Sequence, residues 1–358
     1  MRIAQASPLY ESVPPKLYGG TERVVSWLTE ELVKQGHEVT LFASGDSQTS
    51  ATLVPMTGQA LRLNPNAVDY LAHHVYMLEQ VCSRIDEFDI VHFHGDYLHY
   101  PLMRRIGAPH LTTLHGRIDL PDLKPIFQEF AGMPVVSISN SQRLPAMHLN
   151  WLGTVYHGLP VERFAFQPEP GDYLAFLGRI SPEKRVDRAI EIARRVGMPL
   201  KIAAKVDRVD HDYFKCEIEP LLADPLVEYI GEIGDDEKEA FLGNAYALLF
   251  PIDWPEPFGL VMIEAMACGT PVVAFRRGSV PEVIDHGVTG FIVDSVEAAV
   301  KATTRIDGLS RWRCRQVFER RFSAERMAND YLDIYRSQAV LLPEPLLEPT
   351  VIEASAGG

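Results

Sequence analysis

The chain has 358 residues, enough for two domains of ordinary size and for a core that needs no disulfide or metal staple. With 46% hydrophobic and 23% charged residues, its composition is that of a soluble enzyme. A formal net charge of -14 argues against a general nucleic-acid binder and, more weakly, against adhesion to anionic lipid.

The opening MRIAQASPLY is too short an apolar run for a signal peptide, because Pro8 and Glu11 interrupt it. No later stretch approaches the roughly 20 apolar residues that span a bilayer. Cys82, Cys216, Cys268 and Cys314 lie far apart, without zinc-ligand spacing, and read as free thiols. The expectation is a cytoplasmic protein.

In chain order, IAQASPL is a short opening strand, followed by the Pro- and Gly-containing loop ESVPPKLYGG. TERVVSWLTEELVKQ then places Val24, Val25, Leu28 and Leu32 at helical spacing, and Gly36 ends that helix. Strands are predicted at HEVTLFA (37–43), DIVHFH (89–94), HLTTLH (110–115), PVVSIS (134–139) and GTVYHG (153–158), with helices between most of them. The Pro-containing stretch GLPVERFAFQPEPG reads as a linker. The pattern then restarts with the strand DYLAFLG (172–178), a helix from about Pro182, and the strands LKIAAK, VEYIG, YALLF, PVVAF and GFIV. This alternation predicts an α/β protein with two parallel-sheet, Rossmann-like domains facing a cleft. The Pro- and Glu-rich tail, residues 341–358, is expected to be mobile.

The strongest chemical signal is PEPFGLVMIEAMACGTPVVAF, residues 255–275. A helix from about Phe258 to Cys268 would leave the amides of Phe258, Gly259 and Leu260 free to hold an anion. Glu256 and Glu264, if both helical, would lie roughly 12 Å apart along the axis. That is too far for the paired carboxylates of a retaining glycosidase. Separate roles in holding sugar and ribose hydroxyls fit this spacing, as do a capping and a buried helix glutamate. A second signal is FLGRISPEKRVD, residues 176–187, where Arg179 and Lys184 follow a strand and Ser181 is placed to cap a helix. The segment is locally basic and suits phosphate, although Arg185 and Arg188 read as a solvated helix face. Asp210 and Asp212 form a DxD pattern inside a charged stretch and read as solvated. His92 and His94 share a strand face without a third ligand, so no metal is expected there.

GRISPEK followed about seventy residues later by EPFGLVMIEAMACGTPVV resembles the retaining GT-B glycosyltransferases of family 4, and the likeness covers nearly the whole chain. The resemblance implies catalytic roles for Arg179 and Lys184 on the donor diphosphate, for Glu256 on the transferred sugar, and for His115, in TLHGR, near the reaction centre. It implies donor binding by Gly19 and Gly20 of YGGTERVV, by Phe258, Gly259 and Leu260, and by Glu264 on the ribose. The acceptor side is assigned to His94 and Asp96 of HFHGDYLH together with Tyr18 and Glu22. The implied domains are residues 1–160 plus a crossover helix near 325–340, and residues 166–322. His157-Gly158-Leu159 departs from the asparagine-glycine-valine of many members and suggests a subgroup.

The implied reaction moves a hexose, most simply glucose from UDP-glucose, to an acceptor hydroxyl with retention, without a metal or other cofactor. YGGTERVVSWL, LTTLHGR and NWLGTVYHGLP resemble a bacterial subgroup that includes pterin glucosyltransferases, implying a small soluble acceptor. A cell-envelope acceptor with a UDP-sugar or GDP-mannose donor is the second expectation. A GT-B epimerase, a phosphorylase or a two-lobed sugar-binding protein are rivals of other classes. The partners expected are the donor and acceptor alone; the oligomeric state stays open. Residues 1–160 carry 11 basic and 15 acidic residues, a net of -4, and the remainder a net of -10. The half expected to hold an anionic nucleotide is therefore the more acidic one.

Overall fold

The computed structural model describes residues 1–16 and 19–339. Tyr18 and the tail 341–358 lie outside the described residues. The first sheet contains β1 (Arg2–Ala6), β2 (Glu38–Ser44), β3 (Thr52–Thr57), β4 (Ile90–Phe93), β5 (His110–Thr113), β6 (Pro134–Ser137) and β7 (Asn150–Thr154). Its order is β3-β2-β1-β4-β5-β6-β7, and the pairs are parallel. The second contains β8 (Tyr173–Ile180), β9 (Leu200–Val206), β10 (Val227–Gly231), β11 (Ala245–Phe250), β12 (Val272–Phe275) and β13 (Gly290–Val293). Its order is β10-β9-β8-β11-β12-β13, also parallel.

Each sheet is covered on both faces, which is why its strands read as near-continuous apolar runs. In β8, Leu174 and Phe176 join one core cluster while Tyr173 and Ala175 join the other. In the first lobe Ala4 and Val91 face one cluster, and Ile3 and Ile90 the opposite one. That opposite cluster combines Val24, Leu28 and Leu32 of the first helix, Gly20–Lys34, with Met327, Tyr331, Leu332 and Tyr335 of the last helix, Ala324–Ala339. The chain thus leaves the first lobe, builds the second, and returns to finish the first.

Four local expectations need correction. The strand β3 was not anticipated; Pro55 within it removes a ladder donor, and β3 pairs only with β2, at the sheet edge where this is tolerated. The strand expected at 153–158 is Asn150–Thr154. Beyond it the chain turns away, and Gly158 packs so closely on Ser323 that a Cβ would lie 2.2 Å from its carbonyl oxygen. The helix expected from Pro182 begins at Val186, since residues 181–185 form a turn in which the Lys184 amide donates to the Ser181 carbonyl at 3.1 Å. Arg185 ends that turn in the left-handed region (φ 55). The helix expected from Phe258 begins at Leu260, after Gly259 at φ 82. Glu256 therefore precedes the helix instead of lying on it.

The lobes are tied across the cleft. Arg23 of the first helix pairs with Asp235 of the Asp235–Gly243 helix. The Glu282 carboxylate accepts the Asn140 and Ser141 amides, each at 2.7 Å, and the Tyr156 hydroxyl at 2.9 Å.

Candidate active site

In both sheets the strand order reverses between two central strands, β1 and β4 in one and β8 and β11 in the other, and ligands of such folds bind beyond the strand C-termini there. The loops after those strands meet. A cavity of about 370 Å³ is walled by Gly19, Gly20 and His115 from the first lobe and by Arg179, Lys184, Glu256, Phe258, Gly259, Leu260 and Glu264 from the second. The start of the first helix abuts the start of the Leu260–Cys268 helix: a Cβ on Gly20 would sit 3.7 Å from Leu260 Cδ1. Two helix N-termini, each with unpaired amides and a positive dipole end, thus border one cavity.

Glu256 is held by its neighbours. Lys184 Nζ lies 2.5 Å from Glu256 Oε2, and the Trp254 indole donates to the same oxygen at 3.0 Å. The ammonium also stands over the Trp254 ring, 4.9 Å from its centroid. From the other side, the Ser279 amide donates to the Glu256 carbonyl at 3.0 Å and the Ser279 hydroxyl to the Phe258 carbonyl at 2.7 Å. Gly278 packs directly on this loop. Glu264, one turn into its helix, takes Lys238 Nζ at 3.3 Å, and Lys238 also reaches Asp235 at 3.3 Å. The two glutamates are thus separately braced and separately neutralised.

The basic segment is less free than its composition suggests. Arg179 faces Glu183 at 2.5 Å, Asp207 at 3.3 Å and Asp210 at 3.9 Å. Asp210 is therefore not solvated, although Asp212 is fully exposed, so the DxD pattern does not converge. Arg185 and Arg188 share Asp253, at 3.2 and 2.8 Å, and tie the 181–185 turn to the loop after β11 rather than forming a solvated face. A diphosphate entering here would exchange these carboxylates for phosphate oxygens, which the guanidinium fork and ammonium match well.

On the first-lobe side, His115 belongs to a buried chain of rings. His115 Nε2 is 2.9 Å from His94 Nδ1, and His94 Nε2 is 2.7 Å from Gln5 Oε1. The Gln5 amide donates to the Tyr335 hydroxyl at 3.1 Å, which lies 2.7 Å from His92 Nδ1. His92 Nε2 contacts Thr113 at 2.7 Å, and Thr113 contacts Tyr331 at 2.8 Å. An amide oxygen only accepts, so His94 carries its proton on Nε2 and receives the His115 Nε2–H at Nδ1. Both nitrogens of His92 and of His94 are committed within this chain, which accounts for the pair without a metal. Among the described residues, no group of three or more His, Cys, Asp or Glu side chains is placed to hold a metal ion. The four cysteines are free thiols.

Burial pushes His92, His94, His99 and His157 well below the ordinary histidine value. They are neutral when folded and take up protons below about 6.5 when unfolded. Acid therefore favours the unfolded chain. Stability is full above pH 6.5 and is expected to fall as pH drops below it, by about 1.4 kcal/mol per pH unit for each such histidine. Thermal melts between pH 7.5 and 5 check this; a flat Tm across that window would overturn it.

A second cavity, of about 500 Å³, adjoins the first through Gly19, Gly20, Thr21, His115 and Gly116, and Glu22, His94 and Asp96 line it. The expected acceptor-side residues that are described are thus brought together. Burial holds the Glu22 carboxyl above its ordinary value.

The sequence comparisons agree with this geometry. The family Glycosyltransferase Family 4 matches residues 18–168, and Glycosyl transferases group 1 matches residues 162–309. The chain is a glycosyltransferase of the family 4, GT-B type. An uncharacterised glycosyltransferase of Methanocaldococcus jannaschii is 24% identical over 94% of this chain and 98% of its own. In fold, the glycosyltransferase is similar to sucrose-phosphate synthase of Thermosynechococcus elongatus (TM-score 0.77, 17% identity, 94% of this chain and 98% of that one). It is also similar to Anabaena HepE in complex with UDP-glucose (TM-score 0.69, 18% identity, 94% and 100%).

Several wall residues of this glycosyltransferase were missed from sequence. Arg23, Lys205, Lys238, Trp254 and His157 all line the first cavity. Arg23 sits inside YGGTERVV and Trp254 immediately before PEPFG, so proximity to a motif was the available signal. Lys238 and Lys205 carried none. Among the described residues, no helix is long and apolar enough to cross a membrane.

Proposed function

We propose that this glycosyltransferase moves a hexose, glucose first among candidates, from a nucleoside-diphosphate sugar to a hydroxyl of a small acceptor, with retention and without a metal ion. The observation that carries this reading is the convergence of Arg179, Lys184, Glu256, Glu264 and the Leu260 helix start on one cavity, with His115 opposite. Cleavage of the glycosyl–phosphate bond leaves charge on the diphosphate. Lys184, Arg179 and the helix N-terminus supply preorganised positive potential for that charge. Glu256 and Glu264 offer carboxylates to sugar and ribose hydroxyls. The acceptor hydroxyl enters from the adjoining cavity, and the leaving phosphate takes its proton on the same face. UDP-glucose is favoured as donor because HepE, alike in fold, was solved with it. A pterin is one acceptor to screen.

The test is hydrolysis and transfer over a panel of UDP-, GDP- and ADP-sugars. Turnover of UDP-glucose above the other donors is expected. Turnover of none of them would overturn the reading.

A further inference from the structure

The second cavity carries information about the acceptor that the motifs do not, and the argument rests on the proposed transfer reaction. Its buried wall is polar, with Glu22 and His94 buried and His115 half-buried, while Asp96 lies exposed at its edge. Its exposed apolar residues are Tyr10, Leu71 and Leu98. Tyr10 is 42% exposed, Leu71 55% and Leu98 40%, so large apolar side chains stand open at the mouth of a polar pocket.

Charge then narrows the occupant. Among the described residues lining this cavity, Arg62 is the permanent cation, and it is engaged: its Nη1 lies 2.7 Å from Glu11 Oε1. Glu11 is buried, so an Arg62 that swung away to a phosphate would leave an unpaired carboxylate behind. The histidines of the wall do not replace it: burial lowers the His115 pKa to about 3, so its ring is neutral, and its Nε2 is turned to His94 at 2.9 Å. His74 Nε2 accepts the Leu9 amide at 3.2 Å, and Nδ1 donates to the Tyr70 carbonyl at 2.7 Å. His94 has both nitrogens committed to Gln5 and His115. Glu22, only 5% exposed, and Asp96 add two carboxylates facing the same space. Among the described residues, the wall has acceptors for donated hydroxyls and no uncommitted cation for an anion.

We infer that the acceptor is an uncharged small molecule that offers hydroxyls at one end and an apolar ring at the other, and that phosphorylated acceptors are rejected. The hydroxyl end donates to the buried Glu22, with Asp96 at the edge of the same cavity. The ring lies on Tyr10, Leu71 and Leu98. A lipid surface is disfavoured as the occupant because residues 1–160 carry a net charge of -4.

The test uses the full chain saturated with UDP and ligand-observed NMR titrations of matched compounds: glucose, phenyl glucoside, and the 6-phosphate of each. Phenyl glucoside is expected to bind about tenfold tighter than glucose. Each phosphate is expected to bind at least about tenfold more weakly than its parent. Leu71→Asp, at an exposed position, is expected to erase the phenyl preference while leaving UDP affinity unchanged. Equal or tighter binding of the phosphates, or a phenyl preference that survives Leu71→Asp, overturns the inference. So does binding to phosphatidylcholine–phosphatidylglycerol vesicles that Leu71→Asp abolishes. Loss of UDP binding by the unmutated chain would instead strike the proposed function, so the two failures are distinguishable.

Discussion

Lys184→Ala lowers kcat/KM for transfer by about a thousandfold, roughly 4 kcal/mol of transition-state stabilisation. The ammonium lies 2.5 Å from Glu256 and 4.9 Å from the Trp254 ring centroid, so under the proposed function its loss removes charge from the point where the diphosphate departs. The same substitution leaves Glu256 without its cation, keeping only the Trp254 indole on that oxygen. A fall in Tm of a few degrees accompanies the lost activity, limited because the cavity admits water to the carboxylate. The double variant Lys184→Ala/Glu256→Ala separates the two effects. It regains the Tm, since no unpaired charge remains, and stays inactive. Steady-state kinetics and melting curves on the three proteins read both quantities. Full activity in Lys184→Ala would remove this residue from the site.

The second large effect comes from a residue that touches no ligand. Gly278 has φ 54, and a Cβ there would lie 2.3 Å from the Glu256 carbonyl oxygen and 2.4 Å from its amide nitrogen. Backbone atoms have no rotamer into which to retreat. Gly278→Ala must therefore displace the loop that carries Glu256 and the approach to Gly259. Activity is expected to fall about a hundredfold, because small displacements of positioning groups cost that much, and Tm also falls. Gly132→Ala is the control: nothing lies within 4 Å of its Cβ, so activity and Tm stay at the unmutated level. A Gly278→Ala protein with unmutated activity would show that the Glu256 loop tolerates movement.

The two sheets were legible because buried parallel strands are continuous apolar runs, and the helix rich in Leu, Met and Ala after PEPFG announced itself by composition. The helix starts were misplaced by a few residues at two sites where a backbone with positive φ, at Arg185 and Gly259, postpones the helix. Propensity does not report such turns. Most pocket residues within motifs were found, Arg23 excepted, while two of the carboxylates facing Arg179 were not placed there, since Asp207 and Asp210 arrive from the loop after β9. A local tally of charges therefore overstated the free positive charge near Arg179. The ring chain from His115 to Tyr335 joins residues more than two hundred positions apart, and no spacing rule connects them. Gly278 lay outside every motif, and only the packing against Glu256 gives it meaning.

The return of the last helix has a consequence for synthesis. The first lobe emerges from the ribosome with its seven strands in hand, yet the surface over Ile3, Ile90, Leu111 and Val136 waits for Met327, Tyr331 and Tyr335. At ordinary elongation rates that interval lasts on the order of ten seconds or more. During it the nascent lobe offers an open apolar groove beside half-finished hydrogen bonds at Gln5, His92 and Thr113. The newborn chain is thus a client for chaperones until its final turns dock, and a fragment ending near residue 160 inherits that stickiness permanently.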